Sequence, residues 1–170
     1  MIRRILKIPF VLFTDTLARA RGFHFPPSFL WYWKLEYLFE KYEINTTRFF
    51  KKTVKRGMTV VDVGANIGYY TVLLSKLVGP MGEVYAFEAD KENYEYLVKN
   101  VSHLRNVKAF NIAVSDKTGE VDFYHVQGAT GIHSMLESAN AEKRTVSATS
   151  LDALHKNFDC IKIDVEGAEP

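Results

Sequence analysis

The chain has 170 residues, of which 47% are hydrophobic, 25% charged and 14% aromatic. That composition excludes a disordered or low-complexity chain and suits one globular domain with a small appendage. The net charge of +2 is too small to point to nucleic acid, so none is expected as a partner.

Residues 1–21 pattern as a helix, with Gly22 as its stop. This stretch is basic: Arg3, Arg4, Lys7, Arg19 and Arg21 stand against Asp15, a net +4 over residues 1–22 that leaves −2 for the remainder. Its apolar run is broken by Lys7 and Pro9, and no small-residue cleavage site follows, so it does not read as a secretory signal. It is also too short to cross a bilayer, which takes about 20 apolar residues. Two readings remain: a helix packed on the domain, which is favoured, and a membrane-surface helix with basic flanks making weak contact through residues 1–22. A single cysteine, Cys160, excludes an internal disulfide and reads as a buried strand residue. A cytoplasmic, reducing setting is expected, with peripheral membrane association as its variant.

Pro26-Pro27-Ser28 opens a second helix over Phe29–Tyr42. Its aromatic and aliphatic residues cover more than one face, and they read as core or lid packing ahead of a stacking surface for a sugar or a base. Thr46 or Thr47 caps a short helix through Val54, and Lys55-Arg56-Gly57 turns the chain. Residues 1–50 are thus expected to form a helical appendage, and 51–170 a separate α/β domain.

From Met58 the pattern changes. Met58–Val63 is a β-branched run suited to a strand buried on both faces. A glycine turn at 64–68 leads into a helix over Tyr69–Val78. A strand at Glu83–Phe87, a helix at Lys91–His103 and a strand at Val107–Val114 follow. This β-α-β-α-β order predicts a doubly wound parallel sheet with helices on both faces. Residues 119–126 alternate as an added strand, 127–142 read as loop, and Thr145–Thr149 as strand. Ser150 caps a short helix, Leu151–His155, before a buried strand at Phe158–Val165.

Four strand ends carry chemistry-bearing residues. The first is Asp62-Val63-Gly64-Ala65-Asn66-Ile67-Gly68, an acid followed by a tight turn that opens a helix. Ligands in open α/β sheets bind outside such carboxyl ends. The spacing is not the Gly-x-Gly-x-x-Gly of dinucleotide sites, nor a phosphate loop with Gly-Lys-Ser/Thr. An uncompensated Asp62 would repel a pyrophosphate and favour a ligand bearing an ammonium and a sulfonium. The second is Glu88, about 20 residues on, where one carboxylate can accept from two vicinal ribose hydroxyls. Asp90 beside it reads as a helix cap. At the third, Ser115 and Asp116 either reach an adenine amino group or simply form an Asp-Lys-Thr-Gly turn. The fourth is Lys162-Ile163-Asp164-Val165-Glu166-Gly167-Ala168-Glu169. Asp164 there reads as a group that places the substrate or takes its proton, whereas Glu169 reads as charge at a helix start.

Together these stretches resemble the FkbM-type methyltransferases. The matching blocks are Val61–Gly68, Val84–Glu88, Ala113–Asp116, Thr149–Asp152 and Ile161–Pro170. The closing Asp-Val-Glu-Gly-Ala-Glu block is the most specific of them. The resemblance implies a Rossmann-like class I methyltransferase fold, incomplete at the C-terminus, and S-adenosylmethionine as methyl donor. It also implies O-methylation of a sugar, polysaccharide or natural-product hydroxyl. Carried over by position, Asp62, Gly64, Asn66, Gly68 and Glu88 form the cofactor set, with Ser115 and Asp116 as weaker members. Asp164 and Glu166 border the reaction centre.

The expected reaction is in-line attack of an acceptor hydroxyl on the donor methyl, with the protein supplying alignment and a base. Asp164 is the first candidate base and His133, in the loop, the second. The histidines show no metal-ligand spacing, so no metal is expected. Two alternatives stay open: a degenerate, non-catalytic methyltransferase acting as a binding module, and an NAD-dependent oxidoreductase.

Overall fold

The structure, a computed structural model, describes residues 7–125 and 142–165. Of the expected loop at 127–142, residues 127–141, with His133, lie outside the described residues, as does Glu166, while Glu142 is in a strand. The chain opens with three helices, α1 (Lys7–Ala20), α2 (Trp31–Leu38) and α3 (Ile44–Thr53). α2 is shorter than its sequence predicts, for two reasons. Pro26–Leu30 are spent in turns, and Glu40 and Glu43 adopt left-handed backbone (φ 53° and 41°) through which a right-handed helix cannot continue. α3 starts behind Glu43 and not behind a threonine cap. The hydroxyl of Thr47 instead donates to the Tyr42 carbonyl at 2.8 Å. The expected boundary at residue 50 therefore falls inside α3.

The main sheet is parallel, in the order β3-β2-β1-β7. Its strands are β1 (Thr59–Val63), β2 (Glu83–Phe87), β3 (Val107–Phe110) and β7 (Cys160–Ile163). α4 (Tyr69–Val78) joins β1 to β2, and α5 (Lys91–Val101) joins β2 to β3. Asp90 caps α5 as expected, its Oδ1 accepting from the Asn93 amide at 2.9 Å. This is the α/β, Rossmann-like arrangement the β-α-β-α-β order predicts.

The expected strand over 107–114 is two strands. After β3 the chain leaves the main sheet, and β4 (Ala113–Val114) joins a second sheet of order β4-β6-β5. Asn111 sits at the crossing, where its side-chain amide donates to the carbonyls of Glu88 and Ala89 and ties the exit to the end of β2. β5 (Gly119–His125) and β6 (Glu142–Thr149) pair antiparallel from Gly119↔Ala148 to His125↔Glu142. That full-length partner extends β6 beyond the expected Thr145–Thr149. Ser150 accepts from the Ala153 amide at 3.2 Å and caps a single 3-10 turn, Asp152–Leu154.

Strand alternation sorts the core onto two faces. Val60 and Val84 face Leu73, Leu74 and Val78 of α4, and that cluster runs on into Phe23 and Phe29 of the α1–α2 connection, Tyr37 of α2 and Phe50 of α3. Appendage and sheet therefore share one core. On the other face Val61, Val63, Tyr85 and Phe87 meet Phe110, Leu151, Leu154 and Phe158. The parallel register brings the carboxyl ends of β1, β2 and β7 to one edge.

Candidate functional site

Parallel pairing sets Asp62 beside Lys162 in the β1–β7 ladder. Both side chains are buried, at 0% and 8% exposure. The Lys162 ammonium lies 3.0 Å from Asp62 Oδ1, off the axis of a hydrogen bond, so charge joins the two. The other oxygen, Oδ2, accepts from the Thr71 hydroxyl of α4 at 2.6 Å. Burial alone would lower the Lys162 pKa. The carboxylates of Asp62 and Asp164 outweigh it and hold the ammonium above its ordinary value. Asp62 is thus compensated, contrary to the sequence reading, which treats it as a lone charge facing the ligand. The compensating residue is a hundred positions away, on a strand whose register no local pattern reports.

Lys162 reaches further. Its Nζ lies 3.3 Å from the Gly64 carbonyl and 3.5 Å from that of Val63, at the start of the glycine turn. It also lies 3.5 Å from Asp164 Oδ2 and 5.2 Å from the centre of the Tyr70 ring. One ammonium therefore ties the end of β1, the turn behind it and the end of β7.

The turn itself is shaped by its neighbours. Gly64 has φ 69°, and a Cβ there would lie 1.9 Å from the Asp164 carbonyl oxygen, so β7 permits only glycine. Gly68, at φ 96°, precedes α4, and a Cβ would lie 2.9 Å from Leu97 of α5. Gly68 is buried, whereas Gly64 and Asn66 are half-buried. Asn66 is left-handed too (φ 51°), and its side-chain oxygen accepts from the Ile67 amide at 2.7 Å.

That bend aims the Asn66 backbone N–H at Glu88. Glu88 Oε2 accepts it at 2.7 Å, and Oε1 accepts the Asp90 N–H at 2.8 Å. Glu88 is only 6% exposed. Burial pushes its carboxyl up to about 7, against the pull of these two amides and of Lys162, and with a further push from the Asp90 charge. Each oxygen keeps a lone pair beyond its amide bond. That donor-poor, acceptor-rich carboxylate at a strand end fits a vicinal diol, as the ribose of S-adenosylmethionine would supply.

Asp164 follows β7, its side chain half exposed. Tyr42, in the turn between α2 and α3, feels the Asp164 charge, and Tyr70 of α4 lies under Lys162; sequence reasoning missed both. The Tyr42 phenol is raised to about 12, by burial first, then by Glu43 and in smaller part by Asp164. The Tyr70 hydroxyl donates to Glu43 Oε2 at 2.7 Å. The positive φ of Glu43 belongs to this wall of the site. The one sequence signal for it was the pair of charges, Lys162 and Asp164, on an otherwise apolar strand.

Ser115 and Asp116 lie after β4, in the second sheet. The Ser115 hydroxyl donates to Asp116 Oδ1 at 3.1 Å, and Asp116 is 79% exposed, 3.9 Å from Lys117. Residues 116–118 bend the chain toward β5, which begins at Gly119. Among the described residues no group of three His, Cys, Asp or Glu side chains could hold a metal. Cys160 is half-buried on β7, and burial raises its thiol pKa. A cavity of about 140 Å³ opens between α2 and the α4–α5 pair, lined by Arg21, Phe23, Tyr37, Tyr69, Asn100 and His103 among others. None of the predicted site residues lines it.

Comparison with known proteins converges on one chemistry. The family described as "Methyltransferase FkbM domain" matches residues 62–169. A Sulfurisphaera tokodaii protein named "Probable cobalt-precorrin-6B C(15)-methyltransferase (decarboxylating)" is 28% identical over 67% of this chain and 62% of its own. A "Protein-L-isoaspartate O-methyltransferase" of Methanothrix thermoacetophila is 36% identical over 31% of this chain and 25% of its own. The chain thus spans less than two thirds of the length of either relative. A SAM-dependent methyltransferase from Aquifex aeolicus aligns in structure at 39% identity over 37% of this chain and 35% of its own, with a TM-score of 0.35. The match from Asp62 to Glu169 takes in well over half the sequence, and on it the chain belongs to the FkbM-domain family of S-adenosylmethionine-dependent methyltransferases.

Proposed function

We propose that this chain methylates a hydroxyl of a sugar, polysaccharide or natural product, with S-adenosylmethionine as donor. The observation that carries the reading is Asp164: a half-exposed carboxylate held 3.5 Å from a buried ammonium, at the same sheet edge as Glu88. Family membership sets the NAD-dependent reading aside.

When bound, S-adenosylmethionine supplies a methyl group on a positively charged sulfur. Glu88 holds the ribose hydroxyls, and the Asn66 amide fixes the carboxylate that does so. Gly64 and Asn66 form the open edge of the turn that would hold the donor. Asp62, held by Lys162 and Thr71, braces the end of β1 on the donor side of the turn and keeps its place in the cofactor set. Asp164 would take the proton from the acceptor oxygen as that oxygen bonds to the methyl carbon and the carbon–sulfur bond breaks, leaving S-adenosylhomocysteine. Lys162, 3.5 Å away, holds the Asp164 carboxylate in place for that transfer. Ser115 and Asp116 complete the adenine end, and Glu166 borders the acceptor.

Titration calorimetry with S-adenosylhomocysteine tests the donor half. One-to-one binding is expected, and Glu88→Ala should weaken it roughly 10- to 100-fold, the worth of hydrogen bonds to a charged group. Asp164→Asn should leave that affinity nearly unchanged and slow turnover by roughly a hundredfold or more. Turnover equal to the parent's would reject Asp164 as the base. Binding without turnover across hydroxylated acceptors would mark a binding module instead.

A further inference from the structure

α1 is built inside out. The positions it turns toward the body are small: Thr14 and Ala18 are 0% and 2% exposed. Its bulky apolar residues point away, with Phe10, Leu12 and Phe13 at 56%, 61% and 62% exposure. Val11 is exposed as well, so four consecutive apolar residues, spaced about 100° apart around the helix, all meet solvent. A surface helix normally does the reverse, burying the large residues and exposing the small or polar ones.

The patch does not end with α1. Phe10 contacts Trp31 (ring centroids 5.7 Å apart), Trp31 contacts Tyr32 (5.9 Å), and Tyr32 contacts Trp33 (5.7 Å). Leu30, Tyr32 and Trp33 are all exposed. The result is a contiguous apolar surface ending in Trp and Tyr, the residues that favour the boundary between hydrocarbon and water. Contiguous apolar surface of this kind marks a site of association.

Charge says with what. Residues 1–57 hold twelve basic and four acidic residues, a net +8, whereas 58–170 hold ten and sixteen, a net −6. Of the four acids, Asp15 is paired with the buried Lys34 at 2.5 Å, and Glu40 is paired with Lys51 and Lys76. The basic excess therefore lies in the segment that carries the patch and the acidic excess in the cofactor domain. Exposed apolar helix residues in a basic segment match an anionic lipid surface. Single-stranded nucleic acid fits less well, because stacking platforms are interleaved with Lys and Arg. Neither Phe10–Phe13 nor Leu30–Trp33 contains either one. Among the described residues no helix is long and apolar enough to cross a membrane, so the contact would lie in the surface plane.

We propose that α1 and the start of α2 seat this protein on an anionic lipid surface, with Phe10, Leu12, Phe13 and Trp33 entering the headgroup boundary. The proposal is independent of the cofactor site and stands or falls apart from it. The test is co-sedimentation of the full chain with vesicles of phosphatidylcholine alone and of phosphatidylcholine with phosphatidylglycerol, at low and high salt. Binding to the anionic vesicles is expected, weakened by salt, and lowered roughly tenfold or more in the triple variant Phe10→Ser/Leu12→Ser/Phe13→Ser. These side chains are more than half exposed, so the variant should keep its circular dichroism and its affinity for S-adenosylhomocysteine. Failure of the parent to pellet with either vesicle, or equal pelleting of parent and variant, would overturn the proposal. Two further results would also overturn it. One is self-association of the parent without lipid binding, lost in the variant. The other is binding to an RNA oligonucleotide without vesicle binding.

Discussion

Glu88 carries its charge against the burial around it, and this makes the stability of the protein depend on pH near neutrality. Its carboxyl sits at about 7 in the folded chain, against 4.5 for the free side chain. Between those values the folded protein keeps a proton that the unfolded chain has lost, so stability falls as pH rises through the window. The loss from about pH 5 to about pH 8 should approach roughly 3 kcal/mol for this group. Urea unfolding across that range should show the decline, and Glu88→Gln should flatten it. Diol hydroxyls donate to the ionised form, so S-adenosylhomocysteine should release a proton on binding and bind more tightly as pH rises through 7. Affinity that is flat across that range would mean the ribose does not sit on Glu88. Lys162 poses the opposite balance. Two buried charges are costly to desolvate, and the pair with Asp62 stands because Thr71, two backbone carbonyls and Asp164 share the load.

Among the elements, α5 does more than cross over between strands. Asn100, 1% exposed, places its side chain between the appendage and the glycine turn. Its Oδ1 accepts from the His24 amide at 2.6 Å, and its Nδ2 donates to the His24 carbonyl at 3.0 Å and to the Ile67 carbonyl at 2.7 Å. Three segments far apart in sequence thus meet on one amide. Asn100→Ala would leave a buried Ile67 carbonyl unpaired and should cost about 3 kcal/mol. Because Ile67 follows Asn66, the same variant should also weaken S-adenosylhomocysteine in calorimetry. Loss of stability with unchanged affinity would show that the turn holds its shape without α5. In the sequence Asn100 is only one polar position between Leu97 and Val101, and helical periodicity assigns it nothing.

At the scale of the whole molecule, the three N-terminal helices and the sheet are halves of one core. Phe23, Phe29, Tyr37 and Phe50 pack with Val60, Tyr69 and Leu73, and the Tyr37 and Tyr69 rings lie 4.6 Å apart. Shared burial couples the unfolding of the two parts. Both tryptophans, Trp31 and Trp33, lie on α2, so fluorescence reports the appendage while far-ultraviolet circular dichroism reports the whole chain. The two urea transitions should coincide. An earlier fluorescence transition would mean that the appendage melts as a separate unit.

Much of this was legible from residues near one another in the chain. β1, α4, β2 and α5, the cap at Asp90 and the turn at Gly64–Gly68 follow from periodicity, β-branching and glycine placement, which act over a few residues. Those same local rules put Asp62, Glu88 and Asp164 at strand ends. What they could not reach was pairing across the sheet. The Asp62–Lys162 pair depends on the β1–β7 register, the split of the expected third strand on which sheet β4 joins, and the wall of Tyr42, Glu43 and Tyr70 on how the appendage docks. Sequence alone placed the acids at one edge of a parallel sheet, because strand direction and alternation are local. Only the tertiary structure decided that Asp62 and the half-exposed Asp164 share one buried ammonium, because that charge is brought in by strand pairing across the sheet.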